Sequence, residues 1–177
     1  KRYENYKYPH YLNDTLIVSE LSDMDDITRF VITGPKGYKK ILVTPGYLSS
    51  DIFSALKTPE NYYMLAWTET IDDPRWQQRN YSVIRIYNGN TAKTLSLTRK
   101  SRYFAPSFSP DGKLLAAVCV DPSNRSSIVL MDTKSGKETI TVVSSDSDFY
   151  MNPSWSEDGL KIVFTKLDSR GKSILTF

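Results

Sequence analysis

A seven-residue phrase that occurs twice constrains the fold of this 177-residue chain more than any other feature. Pro-Ser-Phe-Ser-Pro-Asp-Gly, at residues 106–112, returns 47 residues later as Pro-Ser-Trp-Ser-Glu-Asp-Gly, at residues 153–159. The residues that follow each copy also agree, because an apolar run and then a Gly-containing turn come next in both. Self-similarity at this spacing is typical of repeat architectures. The sequence therefore predicts a chain built from repeated structural units.

The same frame extends towards the amino terminus. Pro9, in "YPHYLNDTLIV", aligns with Pro106, and Pro59, in "LKTPENYYMLAW", aligns with Pro110. Four units then tile the chain with periods of about 47 to 51 residues. Their approximate bounds are 6–46, 47–101, 102–148 and 149–177, the last unit being incomplete.

Each unit predicts four short strands. Leu114–Val120 and Ile162–Thr165 are almost entirely apolar second strands, and Ser127–Met131 and Val83–Tyr87 are third strands. A strand that is apolar on both faces must be covered on both faces. No helical period is long enough to provide that cover, so neighbouring units must provide it. The predicted fold is therefore an all-β propeller of four-stranded antiparallel blades, with about four blades present.

The repeated phrase itself is interpreted as a turn between the first and second strands of a blade. Ser109-Pro110-Asp111-Gly112 has the residue preferences of a type I β-turn, with Pro second and Gly fourth. Asp111 and Asp158 lack the neighbouring carboxylates of a calcium loop. The predicted structural-turn residues are Ser109, Pro110, Asp111, Gly112, Ser156, Asp158 and Gly159.

The two full copies resemble the WD-like repeats of the TolB-type propeller family, which centre on a Pro-x-Trp-Ser-Pro-Asp-Gly phrase. The match is specific over residues 103–177 and weak in the first two units, which lack the full turn sequence. The resemblance implies a bacterial propeller, commonly of six or more blades, located in the periplasm or cell envelope. It also implies protein binding without catalysis, as in TolB itself. Similar repeats form the propeller domains of prolyl-oligopeptidase-like and tricorn-like peptidases.

The fourth unit stops at Phe177, inside or just after its third strand. Either residues 1–8, "KRYENYKY", supply the missing strand and close a small ring, or the chain is part of a larger propeller. The second alternative is favoured. It leaves an open blade edge through which the chain is expected to associate.

The residue inventory gives little support to catalysis. The chain has one histidine, His10, and one cysteine, Cys119, which lies within the apolar run "LLAAVCV". A Ser-His-Asp triad and a two-histidine zinc motif would both need partners from elsewhere. The acidic stretches 22–26 and 144–148 lack the spacing of a calcium loop. We therefore expect no metal, no cofactor and no enzymatic activity from this chain.

Charge and hydropathy exclude two further classes of partner. The net charge is +3, with acidic and basic residues mixed along the chain, whereas nucleic-acid-binding domains concentrate basic residues on one face. No run of about 18 apolar residues is present, so no membrane insertion is expected.

The longest irregular segment predicts a binding surface. Residues 68–81, between the second and third strands of unit two, are more than twice as long as the equivalent "DPSNRS" of unit three. In an up-and-down blade such loops share one face of the propeller with the links between blades, and we call this the loop face. Its aromatic and basic residues are typical of binding hot spots. The candidate binding residues are Arg75, Trp76, Gln77, Arg79, Arg99, Arg102, Tyr103 and Tyr150.

Three functional hypotheses follow. The first is a non-catalytic module of the cell envelope that binds a protein or peptide through the loop face. The second is the propeller domain of a larger peptidase, in which the blades gate or position substrate. The third is a propeller that binds a small ligand or sugar through aromatic residues near the central channel.

Overall fold

The structure is a computed structural model that describes residues 3–24, 27–49, 52–73, 80–98 and 102–177. These residues form fifteen β-strands in four antiparallel sheets, with a short 3-10 turn at Pro35–Gly37.

The strands are numbered in chain order. Sheet 1 contains β1 (Glu4–Tyr11), β2 (Ile17–Asp23), β3 (Arg29–Thr33) and β4 (Lys39–Val43). Sheet 2 contains β5 (Ser54–Lys57), β6 (Tyr63–Asp72), β7 (Asn80–Asn88) and β8 (Lys93–Ser96). Sheet 3 contains β9 (Arg102–Phe108), β10 (Leu114–Val120), β11 (Ser126–Asp132) and β12 (Glu138–Ser145). Sheet 4 contains β13 (Phe149–Trp155), β14 (Ile162–Asp168) and β15 (Gly171–Thr176).

Strand order follows chain order in every sheet, so each sheet is an up-and-down blade. The predicted all-β propeller fold is confirmed. The alternative in which residues 1–8 complete the fourth blade is wrong, because Glu4–Tyr11 pairs with β2 in sheet 1. Within the described ranges, no helix is long and apolar enough to cross a membrane.

Both faces of the central sheets are buried. Along β10, Leu115, Ala117 and Cys119 pack into the core between sheets 2 and 3. The alternate residues Ala116 and Val118 pack into the core between sheets 3 and 4. Because side chains alternate across a strand, one apolar run supplies two cores. A third core joins sheet 1 to sheet 2, so the blades pack in chain order.

The repeated phrase forms the turn between the first two strands of its blade. The Gly112 amide donates to the Ser109 carbonyl at 2.8 Å, and the Ser109 hydroxyl donates to the Asp111 carboxylate at 2.7 Å. That hydrogen bond, followed by one from the Lys113 amide, lowers the pKa of Asp111. In sheet 2 the equivalent turn ends at Asn61, whose φ of 66° matches the 70° of Gly112. Asn tolerates the left-handed region better than most residues, so the turn survives without glycine.

Hydrogen bonds to serine side chains join the innermost strand of one blade to the preceding blade. The Phe108 amide donates to the Ser54 hydroxyl at 3.2 Å, and the Tyr150 amide donates to the Ser126 hydroxyl at 3.1 Å. The Trp155 indole also donates to the Ser107 carbonyl at 3.1 Å. These bonds set the relative position of blades 2, 3 and 4 along their innermost strands.

Aromatic packing joins blade 1 to blade 2. Phe53, which precedes β5, lies between Phe30 and His10 at ring-centroid distances of 4.8 Å and 4.5 Å. Phe30 also contacts Trp67 at 5.4 Å. Desolvation in this interface lowers the pKa of His10, so the imidazole is held in its neutral form.

Ser126→Ala should destabilise the fold by about 1–3 kcal/mol, because it leaves the buried Tyr150 amide without its acceptor. Ser126 is only 1% exposed, so water cannot easily replace the hydroxyl. The control is Ser127→Ala, on the opposite face of the same strand, which should cost less. Urea unfolding of both variants measures the difference, and equal losses would contradict the joining role of Ser126.

Gly112→Ala should cost roughly 1–2 kcal/mol from the left-handed backbone alone. It should cost more in total, because the added Cβ would lie 3.1 Å from Leu56 of the preceding blade. Gly37→Ala is the matched control, since Gly37 has a φ of 77° and nothing within 4 Å of the added atom. If the two variants unfold at the same urea concentration, Gly112 has no packing role between blades.

The lowered pKa of His10 predicts a pH dependence of stability. Well above pH 6.5 the imidazole is neutral in both states. As the pH falls through 6.5, the unfolded state binds a proton that the folded state resists because its His10 pKa is lower. Wild-type stability should therefore fall between pH 7.5 and pH 5.5 by more than that of His10→Phe, which keeps a ring against Phe53. Urea unfolding at both pH values checks this, and parallel losses would exclude His10 as the linked group.

Candidate functional site

The loop predicted at residues 68–81 is shorter in the structure. Residues Thr68–Asp72 continue β6 and pair with Ile84–Asn80 of β7, so only the intervening segment connects the strands. The polar character of these positions suggested a loop, but Thr68 and Glu69 are buried within the sheet. The buried Glu69 carboxylate accepts from the Trp67 indole at 2.7 Å and from Arg85 at 2.9 Å.

Three of the eight candidate binding residues lie within the described part of the chain: Arg102, Tyr103 and Tyr150. Arg75, Trp76, Gln77, Arg79 and Arg99 lie outside the described residues. Their role in binding stays a prediction from the sequence.

Arg102 lies on the loop face, at the start of β9. Its guanidinium donates to the Asn124 side-chain oxygen at 2.7 Å, across the loop that joins β10 to β11. Arg102 is exposed, and the Asn124 side chain that accepts its hydrogen bond is neutral. This contact therefore leaves the positive charge of the guanidinium unneutralised.

Neighbouring cations on this face are paired with carboxylates. Arg125 contacts Asp146 at 2.7 Å, and the Lys166 ammonium lies 3.0 Å from Asp148 and 3.1 Å from Asp168. The two carboxylates raise the pKa of Lys166. The loop face at blades 3 and 4 therefore carries local ion pairs, which contribute little stability when exposed.

The two tyrosines do not project from the loop face as the sequence analysis expects. Tyr150 is 3% exposed and packs edge-on against Phe164 at 5.7 Å. Tyr103 packs against the core between sheets 2 and 3, and its hydroxyl donates to Glu138. Burial raises the pKa of Tyr103. Side chains alternate across a strand, and this alternation turns both rings towards neighbouring sheets. The sequence analysis placed the two tyrosines in links between blades and did not consider their orientation within a strand.

A structural feature that the sequence analysis missed interrupts the innermost strands. Tyr8, Ala105 and Asn152 have φ angles of 50°, 46° and 51°, and each lies at a break in register with the second strand. Each also directly precedes a proline, at position 9, 106 or 153. These are β-bulges, which re-aim side chains and often lie near functional sites. In the sequence, the proline that recurs at the same place in three units was the signal that could have predicted these bulges.

In blade 2 the innermost strand is divided at the same place without a proline. Leu48 pairs with Glu69, β5 pairs with residues 63–66, and Ile52 and Phe53 lie in the segment between the two pairings. Phe53 turns into the core between blades 1 and 2, whereas Ile52 is 44% exposed on the other side of the strand.

The interruptions of blades 2, 3 and 4 meet at one apolar cavity of about 220 Å³, which we call the channel pocket. Ile52, Ala105 and Asn152 contribute from the three interruptions. The remaining walls are Phe104, Val118, Phe149, Tyr150 and Met151. Because Phe104 and Phe149 lie near the starts of β9 and β13, the pocket opens in the half of the innermost strands closest to the loop face. Phe149 is 40% exposed there.

A second cavity, of about 310 Å³, lies at the opposite ends of blades 2 and 3. Tyr62, Met64 and Ile86 contribute apolar surface, and Lys113 and Lys134 are among its charged residues. We call it the turn-side cavity, because residues of the repeated turn, Asp111 and Gly112, form part of it.

The two side chains most suited to nucleophilic or acid–base chemistry are held by packing. The His10 ring packs at a tilt against Phe53, and burial raises the pKa of the Cys119 thiol to about 11. A thiol with a raised pKa is a poor nucleophile. Among the residues that the structure describes, no group of three or more His, Cys, Asp or Glu side chains is placed to hold a metal ion.

Comparison with solved structures identifies similar folds. A TolB structure from Agrobacterium tumefaciens matches with a TM-score of 0.70 and 17% identity, over 98% of this chain and 58% of its own. TolB from Acinetobacter baumannii matches with a TM-score of 0.61 and 18% identity, over 96% of this chain and 42% of its own. A puromycin-hydrolyzing peptidase from Mycobacterium tuberculosis matches with a TM-score of 0.69 and 16% identity, over 98% of this chain and 28% of its own.

The chain thus spans between 28% and 58% of the length of these structures. No protein-family model and no curated protein matches the sequence. The resemblance to TolB-type repeats is confirmed at the level of the fold, which is that of a TolB-type β-propeller.

Proposed function

We propose that this chain is a non-catalytic binding segment of a β-propeller that recognises a protein or peptide through its loop face and the adjoining channel pocket. The observation that carries the proposal is the meeting of three innermost-strand interruptions at one open apolar pocket. Interruptions cost ladder hydrogen bonds, and positive φ angles cost backbone energy in residues other than glycine. This fold places three interruptions around one cavity, two of them with a positive φ, which supports a binding role for this surface.

The packing of the reactive side chains supports binding rather than catalysis. His10 packs against Phe53 and has a lowered pKa, and Cys119 is buried with a raised pKa. The resemblance to TolB-type repeats supports a periplasmic or cell-envelope location for this binding role.

The second candidate is the propeller domain of a larger peptidase, in which the same surface would gate or position a substrate. The similar TM-scores to the peptidase and to TolB, 0.69 and 0.70, favour neither candidate over the other. The reading frame of the parent gene tests this candidate directly. A catalytic domain in the same frame would support it, and a frame that encodes only further propeller repeats would exclude it.

The loop-face proposal predicts that the double variant Trp76→Ala/Arg79→Ala folds normally but loses a partner. The immobilised chain and the variant would be exposed to the same cell-envelope extract, and bound proteins compared by mass spectrometry. Removing two hot-spot side chains typically costs enough binding free energy to weaken capture at least tenfold.

Leu95→Ala is the control for that experiment. Leu95 is exposed on the outermost strand of sheet 2 and contributes to the turn-side cavity, away from the loop face. Capture should be unchanged in this variant. If Leu95→Ala loses the partner and the double variant keeps it, binding uses the opposite face and the loop-face proposal fails.

A further inference from the structure

We propose that the interface between sheets 2 and 3 opens at its end nearest the loop face while its end nearest the repeated turns stays closed. The inference goes beyond the proposed binding function and does not depend on it. It rests on buried hydroxyl groups that have no hydrogen-bond partner, and on the neighbouring interface between sheets 3 and 4, where the equivalent serine is bonded.

Three hydroxyl groups of blade 2 are buried without a hydrogen-bond partner within the described residues: those of Ser49, Thr68 and Ser82. Thr68 is 0% exposed and Ser82 is 6% exposed, so bulk water does not reach their side chains in the closed fold. A hydroxyl group that loses water and gains no partner costs free energy. Each of the three therefore favours a rearrangement that returns it to water.

The three hydroxyl groups lie on one side of sheet 2. The Ser49 amide donates to the Thr68 carbonyl at 3.0 Å, which places the two residues opposite each other. Thr68 pairs with Ile84, and Ser82 lies two residues from Ile84 on the same side of the strand. Ile84 packs into the core between sheets 2 and 3. The unsatisfied groups therefore face sheet 3, in the half of sheet 2 nearest the loop face.

The interface between sheets 3 and 4 carries the equivalent serine with a partner. Ser82 and Ser126 occupy the same register position in β7 and β11. The Ser126 hydroxyl accepts from the Tyr150 amide of the next sheet at 3.1 Å. Tyr103, 47 residues before Tyr150, is the equivalent residue for Ser82, yet the Ser82 hydroxyl has no bond to it. The same serine thus fastens one interface and leaves the other unfastened.

The position of Thr68 differs between the two interfaces in the same sense. Val118 occupies that position in sheet 3, because Val118 pairs with Ile128 as Thr68 pairs with Ile84. Val118 is buried in the core between sheets 3 and 4 and has no polar group to satisfy. The half nearest the loop face is therefore closed by packing and a hydrogen bond between sheets 3 and 4, but carries unsatisfied groups between sheets 2 and 3.

The opposite half of the interface between sheets 2 and 3 is held together. The Phe108 amide donates to the Ser54 hydroxyl at 3.2 Å. The backbone at Gly112 also lies close to blade 2, since a Cβ added there would be 3.1 Å from Leu56. An interface that is fastened at one end and unsatisfied at the other opens at the unsatisfied end. Such an opening would separate blades 2 and 3 on the loop face and leave the turns in place.

Cys119 is a natural reporter of this opening. It lies in the core between sheets 2 and 3, is 7% exposed, and pairs with Tyr103 in the half nearest the loop face. Opening would expose the thiol to 5,5′-dithiobis(2-nitrobenzoic acid), and absorbance follows the reaction. Each rate is divided by the rate of the same protein in fully unfolding urea, so that the ratio measures the open fraction.

Val120→Cys in a Cys119→Ala background reports the other interface. Val120 lies in the core between sheets 3 and 4 and is also 7% exposed. Without urea, we expect Cys119 to react at least about tenfold faster than the thiol at position 120. Its rate should also depend less steeply on urea concentration, because local opening exposes less surface than global unfolding.

The same substitution should act in opposite directions at the two interfaces. Ser82→Ala removes an unsatisfied hydroxyl from the closed state and should slow the labelling of Cys119. Ser126→Ala removes a bonded hydroxyl and should speed the labelling of the thiol at position 120. Each change should be roughly five- to hundredfold, as expected for one buried polar group. Thr68→Val, which installs the side chain found in sheet 3, should slow the labelling of Cys119 as Ser82→Ala does.

Two outcomes would overturn the inference. Equal labelling of the two thiols, with the urea dependence of global unfolding, would mean that the interface between sheets 2 and 3 does not open separately. Faster labelling of Cys119 in Ser82→Ala or Thr68→Val would mean that these hydroxyl groups hold the interface closed. Urea unfolding of each variant verifies that it folds.

No binding partner enters this experiment, so its result is independent of the capture experiment with Trp76→Ala/Arg79→Ala. Loss of capture together with equal labelling of the two thiols would remove only this inference. Separate opening together with unchanged capture would remove only the loop-face proposal.

Discussion

The whole structure depends on sheets that are apolar on both faces. In β10 and β11 alternate side chains enter two different cores, so sheet 3 cannot bury its own surface and must lie between two neighbours. Stability therefore comes from the interfaces between blades, as in other repeat proteins. Sheet 4 has only one such neighbour among the described residues, and its outer face leaves Val163, Leu167 and Ile174 exposed. The outer face of sheet 4 therefore carries apolar side chains that no described blade covers.

Stacking the sheets also decides where a ligand can bind. Inner blade faces are filled by packing, and the innermost strands are joined to preceding blades by the hydroxyls of Ser54 and Ser126. Space remains where these strands are interrupted. The bulges at Ala105 and Asn152 draw the backbone away from the regular ladder at the same height in adjacent blades. The channel pocket is therefore a consequence of the repeat: one local irregularity, copied from blade to blade, produces a shared cavity.

Sequence patterns predicted the regular elements and missed the irregular ones. The strand Leu114–Val120 was predicted with its observed bounds, because a run of apolar residues ending at a turn phrase leaves few alternatives. The strands on either side of the segment 73–79 were predicted too short, since Thr and Glu in β6 were taken for loop residues although Glu69 is satisfied by Trp67 and Arg85. Tyr150 was assigned to the surface because its orientation depends on strand register, which composition does not reveal. The bulges escaped notice because Tyr and Ala rarely adopt positive φ.

The interruptions separate the positions that hold the blades together from positions that face the channel pocket. The blade cores and the turn at Gly112 set the scaffold. Of the pocket residues, Ala105, Val118 and Tyr150 belong to a core, and Phe104 packs against it. Substitutions at exposed pocket positions such as Ile52, Phe149 and Asn152 can therefore change the ligand at little cost to the packing between blades. In this chain those positions combine apolar walls with one carboxamide. The proposed binding role, and the alternative role in positioning a substrate, both depend on these exposed positions rather than on the blade cores.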